Sequence, residues 1–191
     1  MPGWYRLMCV IFAVSFAAFG RGSSAQRAAE HLPRPIGERR TLLKKILLMN
    51  GPNLNMLGVR DPAIYGTDTL EAIEEMVRAY GAEHGCEVDC FQSNHEGALI
   101  DRLHAAHGNY DGIVYNPGAH THYSYALHDA VECIDVPVVE IHISDISKRE
   151  EFRRHSVIAP ACVAQVKGLG KEGYLRALDI LLENAVAEGS E

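Results

Sequence analysis

From Leu43 to the C-terminus, short apolar runs alternate with amphipathic stretches, and this alternation narrows the fold more than any single motif. Short apolar runs bounded by Gly, Pro and Asn read as buried strands, and apolar residues recurring three and four apart read as helices. Strands are expected over residues 43–49, 87–92, 111–115, 136–143 and 162–167. Helices are expected over about 68–83, 93–107, 124–133 and 173–187. Asp68 with Glu71, and Ser93 with Glu96, are spaced as capping boxes for the first two helices. Strands alternating with helices give an α/β fold, a parallel sheet covered on both faces. A flavodoxin-like strand order, 2-1-3-4-5, is expected, because it sets the first strand's polar loop beside the switch point where ligands bind.

The N-terminal 40 residues differ in kind from the rest. Arg6 precedes an apolar run from Leu7 to Phe19, and Ser23-Ser24-Ala25 follows. That is the pattern of a secretory signal, and the run is too short for a comfortable membrane span. Residues 27–40, with two prolines and several arginines, read as a linker. Residues 1–40 are therefore expected to be a leader and linker, and 41–191 a single catalytic domain. Export to a periplasm is the preferred compartment, ahead of organelle targeting or a start placed upstream of a cytoplasmic protein.

A net charge of −7 without a basic block argues against nucleic-acid binding, and no stable membrane association is expected. Cys9, Cys86, Cys90, Cys133 and Cys162 show no metal-finger or C-x-x-C spacing and read as inert thiols.

The chemistry gathers at the ends of strands. The first strand empties into Asn50-Gly51-Pro52-Asn53-Leu54-Asn55, with Arg60, Pro62 and Tyr65-Gly66 following. The third empties into Asn116-Pro117-Gly118-Ala119, and the fourth carries Glu140, His142 and Ser144 on alternate positions. Residues two apart in a strand share a face, so these three are expected to line one pocket. Arg149 and Arg153 follow on a polar loop, two cations suited to an anionic substrate. A guanidinium beside a phenol is one of few ways to supply tyrosinate as a base near neutral pH, so Arg60 with Tyr65 points to proton abstraction.

At these positions the chain resembles the type II 3-dehydroquinate dehydratases. The matching text runs through Asn50-Gly51-Pro52-Asn53-Leu54-Asn55-Met56-Leu57-Gly58, Arg60-Asp61-Pro62, Tyr65-Gly66, Gln92-Ser93-Asn94 and Asn116-Pro117-Gly118-Ala119. It continues with Thr121-His122, Glu140-x-His142-x-Ser144, Arg149-Glu150-x-Phe152-Arg153-x-His155-Ser156 and Gly168-Leu169-Gly170 before Gly173-Tyr174. The resemblance implies a cofactor-free and metal-free lyase that reversibly removes water from 3-dehydroquinate, anti, through an enolate, giving 3-dehydroshikimate. It implies Tyr65 as base, held ionised by Arg60 and Arg149, His142 as general acid oriented by Glu140, and Asn53 holding a water against the enolate oxygen. Ile143 and Ser144, with nearby backbone N–H groups, would grip the substrate carboxylate. Asn116, His122 and Arg153 would hold the ring hydroxyls, and Asp129 would come from a neighbouring subunit of a dodecamer, a tetramer of trimers. The same elimination serves the shikimate route to aromatic amino acids and quinate catabolism. Asp61, His120 and Tyr123 depart from the family pattern without removing any of these residues.

Two rival readings have their own residues. His120-x-His122 with His142 could form the metal site of a hydrolase. Gly168-Leu169-Gly170-Lys171-Glu172-Gly173 fits the dinucleotide fingerprint of a non-catalytic flavodoxin-like binding module. No strand follows the last helix to carry a ribose-binding acid, so these glycines are expected to shape a strand-to-helix turn. His104, His107 and His128 are expected on helix surfaces. Lys44, Lys45, Lys148, Lys167 and Lys171 are expected away from the pocket, which argues against Schiff-base chemistry.

Overall fold

A computed structural model describes residues 44–59 and 67–188. The expected leader and linker lie outside the described residues, as do Arg60 and Tyr65. Five strands, β1 (Lys44–Asn50), β2 (Cys86–Gln92), β3 (Gly112–Asn116), β4 (Val138–His142) and β5 (Ala164–Lys167), form one sheet in the order β2-β1-β3-β4-β5. Every pairing is parallel, as expected for strands joined by helices. The helices are α1 (Leu70–Glu83), α2 (Glu96–Ala106), α3 (Tyr125–Glu132) and α4 (Glu172–Glu188).

The pleat sorts the core into two layers. Ile46, Leu48, Val114, Val139 and Ile141 pack with Ile73 and Val77 of α1 and with Tyr174 and Leu178 of α4. Leu47, Met49, Ile113, Tyr115 and Val138 pack with Leu99 and Leu103 of α2 and with Leu127 and Val131 of α3. A strand with helices on both faces must be apolar at successive positions, which is why β1 reads as an unbroken run. Cys86 and Val88 point into the first layer, with Cys90 packed against it, as alternation requires. Burial pushes the Cys90 thiol up to about 12, and Cys162 likewise.

Four of the shifts in element ends have identifiable physical causes. Thr69 caps α1, its side chain accepting the Ala72 N–H at 3.2 Å, while Asp68 turns to Lys171 at 3.0 Å. His95 stands at the N-cap of α2 without a side-chain bond, because the Ser93 hydroxyl accepts the His95 N–H at 3.0 Å instead. β4 opens only at Val138, one residue past Pro137, which has no N–H to give a ladder. β5 opens at Ala164, because the Cys162 N–H closes a 3-10 turn onto Ala159.

Between β4 and β5 the polar stretch folds into short 3-10 turns, Ile146–Lys148, Glu151–Arg153 and Ala159–Ala161. The expected glycine turn connects β5 to α4, with Gly168 at φ 78 and Gly170 at φ 61. Its N–H groups hold the end of β4: Gly168 donates to the His142 carbonyl at 3.1 Å and Gly170 to that of Ile143 at 3.0 Å. His104 and His107 are exposed, but His128 is half-buried, its Nδ1 donating to the Val157 carbonyl at 2.8 Å. No helix among the described residues is long and apolar enough to cross a membrane.

Candidate active site

The parallel register lines up the carboxyl ends of the strands, where loops deliver side chains in this class of sheet. Asn50 lies beside Gln92 on one flank and Asn116 on the other. Glu140 lies beside Tyr115 and Gln165. Above this edge opens a cavity of about 180 Å³. Asn53, Asn116, His122, His142, Ile143, Ser144, Arg149 and Arg153 all line it, together with Pro52, Leu54, Gly118, Ala119 and Ile146.

Glu140 does not line this cavity, contrary to the one-face expectation. It lies beneath His142 with no exposed surface, and His142 Nε2 donates to its Oε1 at 2.8 Å. The carboxylate also accepts from the Thr121 hydroxyl, from Ser156 Oγ at 3.0 Å and from Gln165 Nε2 at 2.9 Å. Burial alone would raise the acid's pKa, but these bonds, His142 foremost, hold it below the usual carboxylate value. Glu140 therefore stays an anion and fixes the imidazole with its Nε2 side turned to the protein. Nδ1 is the ring nitrogen left for a ligand.

His122 is positioned by its neighbour's backbone, with Nδ1 donating to the His155 carbonyl at 2.8 Å. Burial, helped by His142, Arg153 and Arg149 nearby, holds its pKa below the usual imidazole value, although the His155 carbonyl pulls it back up. At neutral pH it presents a neutral ring with Nε2 available. Arg149 donates to Ser144 Oγ at 2.8 Å, which brings one guanidinium to the end of β4. Arg153 stacks over the Phe152 ring, 5.2 Å from its centroid. Two guanidinium groups, two imidazoles and two primary amides around a small cavity suit an anionic, hydroxylated ligand and can shuttle protons.

Asn53 takes the left-handed conformation, φ 65 and ψ 1, at the start of the 3-10 turn Leu54–Met56. Its side chain makes no cap bond to that turn, so it is available to the cavity it lines. Leu54 and Leu57 anchor the turn from below.

The chain's own Asp129 stands exposed on α3 and does not line this cavity. Nor do the potential metal ligands converge as the hydrolase reading requires. Among the described residues, the three that bring ligand atoms together are His128, Asp129 and Glu132, and not the set of His120, His122 and His142. None of Lys44, Lys45, Lys148, Lys167 and Lys171 lines the cavity.

Several supporting residues carried no role in the sequence reading. Tyr174 lies fully buried under the sheet edge, its hydroxyl donating to Asn50 Oδ1 at 2.9 Å and accepting from Asn116 Nδ2 at 2.8 Å. It thereby ties α4 to the adjacent ends of β1 and β3. Thr121, Ser156 and Gln165 complete the bed of Glu140. They come from different elements, so no local spacing signals them; the Glu140–Gln165 pairing exists only once the register of β4 and β5 is known.

Comparisons with known proteins identify the family and the fold. The family model described as dehydroquinase class II matches residues 44–182. A 3-dehydroquinate dehydratase of Bacillus cytotoxicus is 55% identical over 141 residues, covering 74% of this chain and 97% of the relative. One from Anoxybacillus flavithermus is 52% identical over 145 residues, covering 76% and 98%. Among solved structures, the type II dehydroquinase of Butyrivibrio crossotus superposes with a TM-score of 0.72 at 48% identity, covering 73% of this chain and 98% of that one.

Proposed function

Since the chain belongs to the class II dehydroquinase family, and is thus a hydro-lyase, we propose that it dehydrates 3-dehydroquinate to 3-dehydroshikimate through an enolate, with Tyr65 as tyrosinate base and His142 as general acid. Tyr65 takes the proton beside the ketone, and the C–H electrons pass into an enolate. Asn53 holds a water against the enolate oxygen, a role often worth about 3 kcal/mol. As the enolate collapses, the C–O bond opposite the lost proton breaks, and His142 gives its proton to the departing hydroxyl. Water leaves, and one proton returns from phenol to imidazole to reset the site.

The observation that carries this reading is the buried His142–Glu140 pair, 2.8 Å apart, with one ring nitrogen left facing outward. The carboxylate beneath the ring fixes which nitrogen faces outward, the position from which a general acid would deliver its proton. Ser144 with the backbone of Ile143 receives the substrate carboxylate beside Arg149. Asn116, His122 and Arg153 receive the hydroxyls. Arg60, with Arg149, stabilises the phenolate. The experiment is ultraviolet detection of the conjugated product on adding 3-dehydroquinate. Turnover should resist borohydride and vanish in Tyr65→Phe; borohydride inactivation in the presence of substrate would mean an imine route instead.

Two further parts of the proposal concern the molecule beyond this site. Asp129 serves a neighbouring copy in a dodecamer built as a tetramer of trimers. Its exposure on α3, one helical turn after the exposed Tyr125, supports that reading. Export is the second part, and N-terminal sequencing of the mature protein tests it.

A further inference from the structure

The strand-end sequence Gln92-Ser93-Asn94 is left without a task by the mechanism, yet it grips the first loop at three points, Asn50, Gly51 and Asn53. Ser93 N–H donates to the Asn50 carbonyl at 3.0 Å. Gln92 Nε2 donates to the Gly51 carbonyl at 3.2 Å. Asn94 Oδ1 accepts the Asn53 N–H at 2.8 Å and is itself steadied by Gln92 Nε2 at 3.1 Å. Its oxygen is assigned by this network, since both neighbours are donors.

Asn53 is the residue most in need of such a grip. Among the described residues it is the one non-glycine at positive φ, and such a conformation is sparsely populated for residues with a Cβ. Asparagine often supports it through its own side chain, but here that side chain makes no cap bond. The support comes from outside, from Asn94.

We infer that Asn94, seated by Gln92, is a positioning residue that holds Asn53 in its left-handed conformation and so fixes where its side-chain amide stands in the cavity. The inference rests on the proposed role of Asn53 at the enolate. Loss of the acceptor releases Asn53 toward ordinary backbone conformations and moves the amide by an ångström or more, enough to cost roughly ten- to hundredfold in rate.

The test is a set of variants read two ways. Asn94→Ala should lower kcat about tenfold, leave KM within about threefold and retain the fold by circular dichroism. Asn94→Asp keeps an acceptor for the same N–H and should recover most of the loss. In an Asn53→Ala background, Asn94→Ala should cost nothing further, because the two act as one unit. Hydrogen–deuterium exchange of the peptide spanning residues 51–59 should speed up in Asn94→Ala, with the helices unchanged. Unchanged exchange, losses that multiply in the double variant, or an Asn94→Asp as impaired as the alanine would overturn the inference. Turnover surviving Asn53→Ala would strike the proposed role of Asn53 instead, and the exchange experiment would still judge the clamp.

Discussion

Glu140 has no accessible surface, yet it keeps its charge because hydroxyls, an amide and an imidazole replace the water it lost. Its folded pKa lies below the ordinary carboxylate value of about 4.3. The sign follows from linkage: its contribution to stability is full above that ordinary value and drains away as pH falls through the lower folded one. Thermal melts of the wild type should therefore show a steep acid limb. Glu140→Gln should flatten that limb while costing about 1–3 kcal/mol at neutral pH, since an amide cannot accept all these donors. The same variant should lower kcat, by less than the ~10²–10⁴ expected when the general acid itself is removed. His142 and Glu140 were legible in the sequence because they sit two apart on a strand. Thr121, Ser156 and Gln165 lie 19, 16 and 25 positions from Glu140, and nothing local announces them.

At the level of elements, the loops after β1 and β3 press together so closely that they behave as one wall of the site. Gly51 N–H donates to the Asn116 carbonyl at 2.7 Å, and a Cβ at Gly51 would stand 2.5 Å from the Pro117 carbonyl oxygen. Backbone cannot swing aside as a side chain can. Gly51→Ala is expected to force the loops apart, lowering both melting temperature and kcat by a clear margin. Gly97→Ala is the control, because a Cβ there meets open space on α2; it should add about 0.5–1 kcal/mol by propensity. Denaturant melts of the pair distinguish a crowding effect from a general intolerance of substitution. The strands, the helices and a sheet covered on both faces could be read from the chain because apolar runs and helical patterns are local, while the strand order followed from where the first strand's polar loop has to sit. The caps of α1 and α2 differ from the local signatures for the opposite reason. Asp68 satisfies the local signature but is drawn to Lys171, 103 positions away, and Ser93 is committed to the turn before its helix.

For the molecule as a whole, the proposed role of Asp129 must be played in a neighbouring copy, since the chain's own cavity does not include it. If sites are shared between copies, Asp129→Ala and His142→Ala should each be nearly inactive alone. Mixed oligomers, formed by exchanging subunits, should regain a substantial fraction of activity, because some sites then combine His142 of an Asp129→Ala chain with Asp129 of a His142→Ala neighbour. Assay of the mixture alongside sedimentation of each variant checks this, and no recovery despite proven exchange would mean that each chain's site is self-contained. A resemblance to an assembly can be read in one chain, but the contacts that build it cannot, because they depend on surfaces meeting other surfaces.

The hydroxyl of Tyr174, sealed under the sheet edge, has an optical consequence. Burial holds its ionisation far above the ordinary phenol value, and does the same at Tyr115, while Tyr80 and Tyr110 are raised chiefly by their aspartate partner and by burial respectively. Those four rings are silent in a spectrophotometric titration around neutrality. A red-shifted ultraviolet phenolate band emerging there would come from a tyrosine other than these four, which add nothing to the background against which an activated phenol would be seen.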